Sequence, residues 1–158
     1  MPVICTAGCE KRNIRKIEVV DYNPAWPELF IKEFDILQKT LKGAAIAIHH
    51  IGCTAVFGIA AKPIIDIIIE ITNPDVLDKL NIDMEGIGYK PKEEFGIVGR
   101  RYFQKGGDER THHVHAFIVG DKNEKNIHSL FFIIRNWNYE LCPGQSQEYR
   151  GFILSCKK

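Results

Sequence analysis

No stretch of this 158-residue chain is apolar for long enough to cross a bilayer. Its longest aliphatic run, IIDIIIEI, is broken by two acids and falls well short of the roughly 20 residues that a spanning helix needs. No membrane partner is therefore expected. Charge of one sign is just as scarce, because 21 Lys and Arg stand against 20 Asp and Glu. A net charge of +1 exerts no general pull on nucleic acid, so any anion site has to be local. The N-terminal MPVICTAGCEKRNIRK lacks a basic segment followed by a continuous apolar core, which argues against a secretory leader and for the cytoplasm. Cysteines are few, odd in number and scattered, at Cys5, Cys9, Cys53, Cys142 and Cys156, so a disulfide framework is not expected. Cys5 and Cys9 have no second Cys or His pair at ligand spacing to complete a zinc site.

What is present suffices for one core: 45% of residues are hydrophobic, and no repeat or composition shift marks a second domain. Residues 1–16 read as a poorly patterned tail and 17–158 as a single domain. IEVV from Ile17 begins a strand. In DYNPAWPELFIKEFDILQKTLKG, Asn23 can cap a helix and Pro24 suits its first turn. Trp26, Phe30, Phe34, Leu37 and Leu41 then recur at helical spacing as far as Gly43. AIAIHHIG alternates like a strand, and Ile64 to Ile71 has the continuous β-branched character of a strand buried on both faces. A shorter helical segment follows Pro74 through Val76, Leu77 and Leu80. Two turn-bounded strands lie in IGYKPKEEFGIVGRRYFQKGG, and HHVHAFIVG is another. From Asn126, the spacing of Ile127, Leu130, Phe131, Ile134 and Leu141 predicts a helix broken at Pro143-Gly144, with a last short helix beyond. The expected fold is α/β (α+β): a mixed sheet of about five strands flanked by helices.

Side chains alternate along a strand, so Asp66, Ile68 and Glu70 share one face of the isoleucine run. A carboxylate inside a sheet costs several kcal/mol unless it is hydrogen-bonded, paired or bound to a cation. Asp66 therefore needs a partner. Just upstream, Gly52, Cys53 and Thr54 follow a strand, and such a turn can aim backbone N–H groups at an anion. Lys62 adds a positive charge. A loop that holds phosphate beside a carboxylate that holds Mg²⁺ is the arrangement of metal-assisted phosphoryl chemistry. His113 and His115 share a strand face, where they suit a metal when neutral or a phosphate when charged. Arg100, Arg101 and Lys105 precede that strand and would neutralise a polyphosphate, Arg101 and Lys105 sharing a face if the segment is extended. Each group also has a plain structural reading: a strand acid satisfied by Lys62 or backbone donors, a hydrogen-bonded polar sheet face, a solvated strand end.

The stretches YNPAWPELF, HHIGCTAVFGIAAKPIIDI, Gly88-Tyr89 and HHVHAF, in that order, resemble the GrpB-like family, which is placed within the nucleotidyltransferase-like superfamily. That family's central segment reads close to HIGSTAVPGLAAKPIIDI. The resemblance implies a nucleotidyltransferase-like sheet and a nucleotide or other phosphorylated small molecule as ligand. Together with the strand faces it makes Asp66 and His115 the candidate catalytic residues, and Asp66 and His115, with the displaced Glu70, the candidate ligands of Mg²⁺. Candidate substrate contacts are His50, Gly52, Cys53, Thr54, Lys62, Arg101, Lys105, His113 and Arg135, the last matching an arginine in a family segment similar to FRDYLR. Three positions depart from the pattern. Cys53 stands for a serine, Phe57 for a turn proline, and Ile68 occupies the position of the superfamily's second carboxylate. Nucleotidyl transfer, a catalytically lapsed ligand-binding or interaction module, and a metal-dependent phosphohydrolase using the histidines are the functions to be distinguished.

Overall fold

Trp26, Phe30, Phe34 and Leu37 form one apolar stripe along α1 (Trp26–Thr40), and all four are buried, as the amphipathic spacing requires. The structure, a computed structural model, describes residues 18–120. The expected tail over 1–16, the start of a strand at Ile17, the helices beyond Asn126 and Arg135 lie outside the described residues. At the start of α1 the expectation is corrected. Asn23 accepts a hydrogen bond through Oδ1 from the N–H of Ala25 at 2.9 Å, closing a turn ahead of the helix. Ala25 takes the cap position and Pro27, not Pro24, enters the first turn, where a missing N–H costs nothing.

The sheet is built from β1 (Ala45–Ile51), β2 (Ile65–Ile71), β3 (Tyr89–Pro91), β4 (Arg101–Lys105) and β5 (His112–Ile118). Its order is β1-β2-β5-β4-β3. β2 and β5 run parallel, while β1–β2, β4–β5 and β3–β4 are antiparallel, so the sheet is mixed as expected. IEVV does not add a strand among the described residues; Val20 makes a single bridge with Ala61. After β2 the chain forms α2 (Pro74–Lys79), capped by the Asn73 side chain on the N–H of Asp75. A second short helix, α3 (Asn81–Gly86), continues where the periodicity had ended at Leu80; it buries Met84 completely.

Register decides which face each residue shares. Ile65, Ile67, Ile69 and Ile71 of β2 join Ile48, Phe103, Val114 and Ala116, together with the α1 stripe, Leu77 of α2 and Met84 of α3, in one apolar cluster. All described helices thus pack on one face. On the other face Asp66 stands beside His113, Ile68 beside His115 and Glu70 beside Phe117. β4 adds Tyr102 beside His115 and Gln104 beside His113. Ile68 is only 4% exposed, so β2 is buried on both faces and the acids sit on either side of an apolar plug.

Candidate functional site

At the end of β1 the chain must turn sharply to bring Ile51 opposite Asp66. Gly52 makes that turn with φ 73 and ψ −174, a conformation open essentially to glycine alone. The absence of a side chain also lets Asp66 close in. A Cβ on Gly52 would stand 3.0 Å from Asp66 Oδ2. The following turn, Cys53–Ala55, uses the N–H groups of Ala55 and Val56 to bond Gly52 and Cys53 carbonyls, which leaves those of Cys53 and Thr54 outside these bonds. Cys53 is an exposed free thiol.

Asp66 does have its partner. Its Oδ1 lies 3.1 Å from His113 Nδ1, with side chains 33% and 17% exposed, respectively. A carboxylate accepts, so His113 carries its proton on Nδ1 and its Nε2 offers a lone pair when the ring is neutral. That Nε2 is buried and has no hydrogen-bond partner among the described residues. An imidazole oriented by a carboxylate can accept a hydrogen bond or a proton from a ligand hydroxyl.

One step along β5, His115 Nδ1 lies 3.3 Å from Nη1 of Arg100. Guanidinium has no acceptor, so His115 is the acceptor and holds its proton on Nε2. Burial lowers the His115 pKa to about 4, with Arg100 adding to the fall and Asp66 opposing it. Arg100 is itself only 7% exposed. Its Nε donates to the Glu94 carbonyl at 3.2 Å and its Nη2 to the Phe95 carbonyl at 2.7 Å, while the guanidinium lies 4.8 Å over the Tyr102 ring. Tyr102 in turn stacks on Phe95 and touches both histidine rings. Arg100, grouped in the sequence with Arg101 and Lys105, is thus parted from them and joins this site with Tyr102, which sequence reasoning did not select. The usable signal was strand parity: Arg100, Tyr102 and Gln104 alternate with Arg101, Phe103 and Lys105, and either set had polar ends.

The structure assembles only part of the expected constellation. Arg101 and Lys105 occupy the helix-bearing face, away from Asp66. Arg101 forks onto Asp78 at 2.7 and 3.0 Å, and Lys105 Nζ reaches both oxygens of the buried Glu33 at 2.8 and 3.0 Å. His50 also turns to the helix face, stacked on Phe30, and burial pushes its pKa down to about 4. Its Nε2 meets Thr54 Oγ1 at 3.0 Å, while the Thr54 hydroxyl donates to the Ile64 carbonyl. His50 and Thr54 therefore clamp the turn to the start of β2, with the Asp66 charge opposing the effect of burial on His50. Lys62 is exposed beside the turn. Glu70 bonds His49 at 2.9 Å and lies four residues from Asp66, about 13 Å along an extended strand.

Magnesium asks for hard oxygen donors, commonly one or two carboxylates with phosphate and water. Here Asp66 is engaged by His113, Glu70 is remote behind Ile68, and His115 faces a fixed cation that would repel a second one. Among the described residues no three His, Cys, Asp or Glu side chains are placed to hold a metal ion. The three expected ligands, Asp66, Glu70 and His115, are not brought together around one point. Asp66 and His115 make an Asp–His pair and a His–Arg pair instead.

Comparison with known proteins supports the resemblance in the central segment. The family model described as GrpB protein matches residues 16–137. UPF0157 protein YqkA of Bacillus subtilis (strain 168) is 48% identical over 107 residues, covering 68% of this chain and 31% of the relative. UPF0157 protein PA4798 of Pseudomonas aeruginosa is 34% identical over 126 residues, covering 77% of this chain and 50% of the relative. This chain thus spans half or less of the length of these two relatives. The crystal structure of conserved protein GrpB from Enterococcus faecalis superposes with a TM-score of 0.66 at 32% identity, covering 88% of this chain and 94% of that one. No described helix is long and apolar enough to cross a membrane.

Proposed function

This chain belongs to the GrpB family, and from that footing we propose that it is a binding module for a nucleotide or similar phosphorylated small molecule, held on the sheet face that carries Asp66. One observation carries the reading. Asp66 stands partly exposed at the end of an otherwise buried strand, pressed against a glycine turn and held by His113. The backbone conformation at position 52 calls for glycine in any case; what points to a ligand is a carboxylate a third exposed beside a buried His113 Nε2 that has no partner among the described residues. The Asp66–His113 pair suits hydroxyl groups such as those of a ribose, and the turn at Cys53 and Thr54 offers backbone donors.

Nucleotidyl transfer is the second reading, supported by the resemblance to the nucleotidyltransferase-like superfamily. Two-metal transfer needs carboxylates that clamp both ions. Ile68 at the second carboxylate position and the pairing of Glu70 with His49 favour binding without turnover. Titration calorimetry with nucleoside mono-, di- and triphosphates, in EDTA and then in Mg²⁺, tests the proposal. Asp66→Asn should weaken binding by about tenfold or more, the worth of a hydrogen bond to a charged group, while the melting temperature changes little. Equal binding by variant and parent would sink the proposal. Labelled transfer from a nucleoside triphosphate that needs Mg²⁺ and disappears in Asp66→Ala would replace it with the transferase reading.

A further inference from the structure

We propose that Arg100 and His115 form a metal-independent oxyanion subsite that takes the phosphate of the bound ligand, one register step along the sheet from the Asp66–His113 pair. The inference rests on the reading of this face as a ligand site and names the groups that recognise its charged end.

Buried cations are normally paired with a carboxylate. Every other Arg or Lys described above as bonded through its side chain obeys this, Arg101 with Asp78 and Lys105 with Glu33. Arg100 is more buried than either and has no carboxylate partner among the described residues: its bonds go to two backbone carbonyls and a neutral imidazole. Burial pulls its pKa below the ordinary value, and the one opposing influence is Tyr102. A buried charge without a counter-charge among the described residues gains most from an anion that a ligand brings.

Donor arithmetic points the same way. Guanidinium has five N–H groups, of which three are used, by Glu94 O, Phe95 O and His115 Nδ1. The remaining two, on the terminal nitrogens, have no acceptor among the described residues, and His115 contributes by fixing the guanidinium through Nδ1. Arg forks match phosphate geometry bidentately. The arrangement also resolves an electrostatic difficulty. A phosphate placed against Asp66 with no metal between them would be repelled, whereas one at Arg100 leaves Asp66 free for the hydroxyl end. Phe95 and Tyr102, stacked at 5.3 Å between centroids, flank the subsite with apolar surface that strengthens a charge-assisted bond.

The test uses the unmodified chain in EDTA, with inorganic phosphate and pyrophosphate as probes and succinate as a carboxylate control. Titration should move the Arg100 Nε–H resonance in ¹H–¹⁵N spectra and raise the melting temperature. Arg100→Gln should weaken pyrophosphate binding at least tenfold, and Arg100→Lys, which keeps the charge but not the fork, should weaken it less. If Arg100→Gln does not fold, the resonance shift in the parent and the Arg100→Lys titration decide. An unmoved Arg100 resonance, binding that requires Mg²⁺, or equal binding of succinate would overturn the subsite. Nucleotide binding that is lost in Asp66→Asn but unchanged in Arg100→Gln would overturn it and leave the binding-module reading standing. Pyrophosphate binding at Arg100 without nucleotide binding would support the subsite and remove that reading.

Discussion

Gly52 concentrates the local constraints of the site in one residue. Its φ of 73 and ψ of −174 lie in a region where a side chain costs about 1–3 kcal/mol, and an added Cβ would meet the Asp66 carboxylate at 3.0 Å. Gly52→Ala should therefore cost about 1–3 kcal/mol in chemical denaturation and also displace Asp66 from His113. A matched Gly43→Ala variant, whose Cβ would meet nothing within 4 Å at a φ of 86, should show the backbone penalty without any effect on ligand binding. Equal effects on binding would mean that the Gly52–Asp66 contact has no functional weight. This residue and Asp66 were both legible in the sequence, because a glycine turn and a strand acid about a dozen positions apart form a local pattern. The pairing of Asp66 with His113, 47 positions away, was not, since two strands had to be aligned side by side first.

Between elements, two ion pairs join the helices to β4, and burial separates their importance. Lys105 pairs with Glu33 of α1, which is 5% exposed; Arg101 pairs with Asp78 of α2, whose side chain is 38% exposed. Removing one partner of a buried pair strands the other charge at a cost of about 3–5 kcal/mol, whereas a surface pair contributes about 1 kcal/mol or less. Lys105→Met should thus lower the denaturant midpoint far more than Arg101→Met. Replacing both partners, as Glu33→Leu with Lys105→Met, should restore most of the loss. Neither single variant should alter phosphate binding once folded, because both residues sit on the helix face. The connection from β3 to β4 works differently. Glu93 and Phe95 hold positive φ values of 51 and 43, a strain of roughly 1 kcal/mol or more each, and Arg100 pins the carbonyls of Glu94 and Phe95 beside them. The same side chain thus shapes the loop and carries the charge proposed for anion recognition.

For the molecule as a whole, buried imidazoles link stability to acidity. His50 and His115 each fall from the ordinary 6.5 to about 4, first because of burial. A histidine with a folded value below its unfolded one takes up its proton preferentially in the unfolded chain. Its contribution is therefore fully present above pH 6.5 and is lost as pH falls toward 4. The loss is roughly 3 kcal/mol per histidine, a large part of the stability of a typical domain. Urea midpoints should drop steeply between pH 6.5 and 4, and His50→Gln should flatten the profile; an unchanged slope in that variant would refute the assignment. At this scale the division between chain and fold is also clearest. The helical stripe from Trp26 to Leu37, the doubly buried isoleucine strand and the glycine turn are readable from the order of residues, through a repeat of three to four positions, a continuous β-branched run and the residue type at the turn. The side of the sheet on which each strand's polar residues lie is not. Arg100, Tyr102 and Gln104 compete with Arg101, Phe103 and Lys105 on equal terms until β4 pairs with β5 and the buried Glu33 claims Lys105. A shift of one residue in that register would exchange the two sets. Pairing energies between segments distant in the chain, together with the need to neutralise a carboxylate under α1, put Arg100 beside His115 and sent Arg101 and Lys105 to the helices.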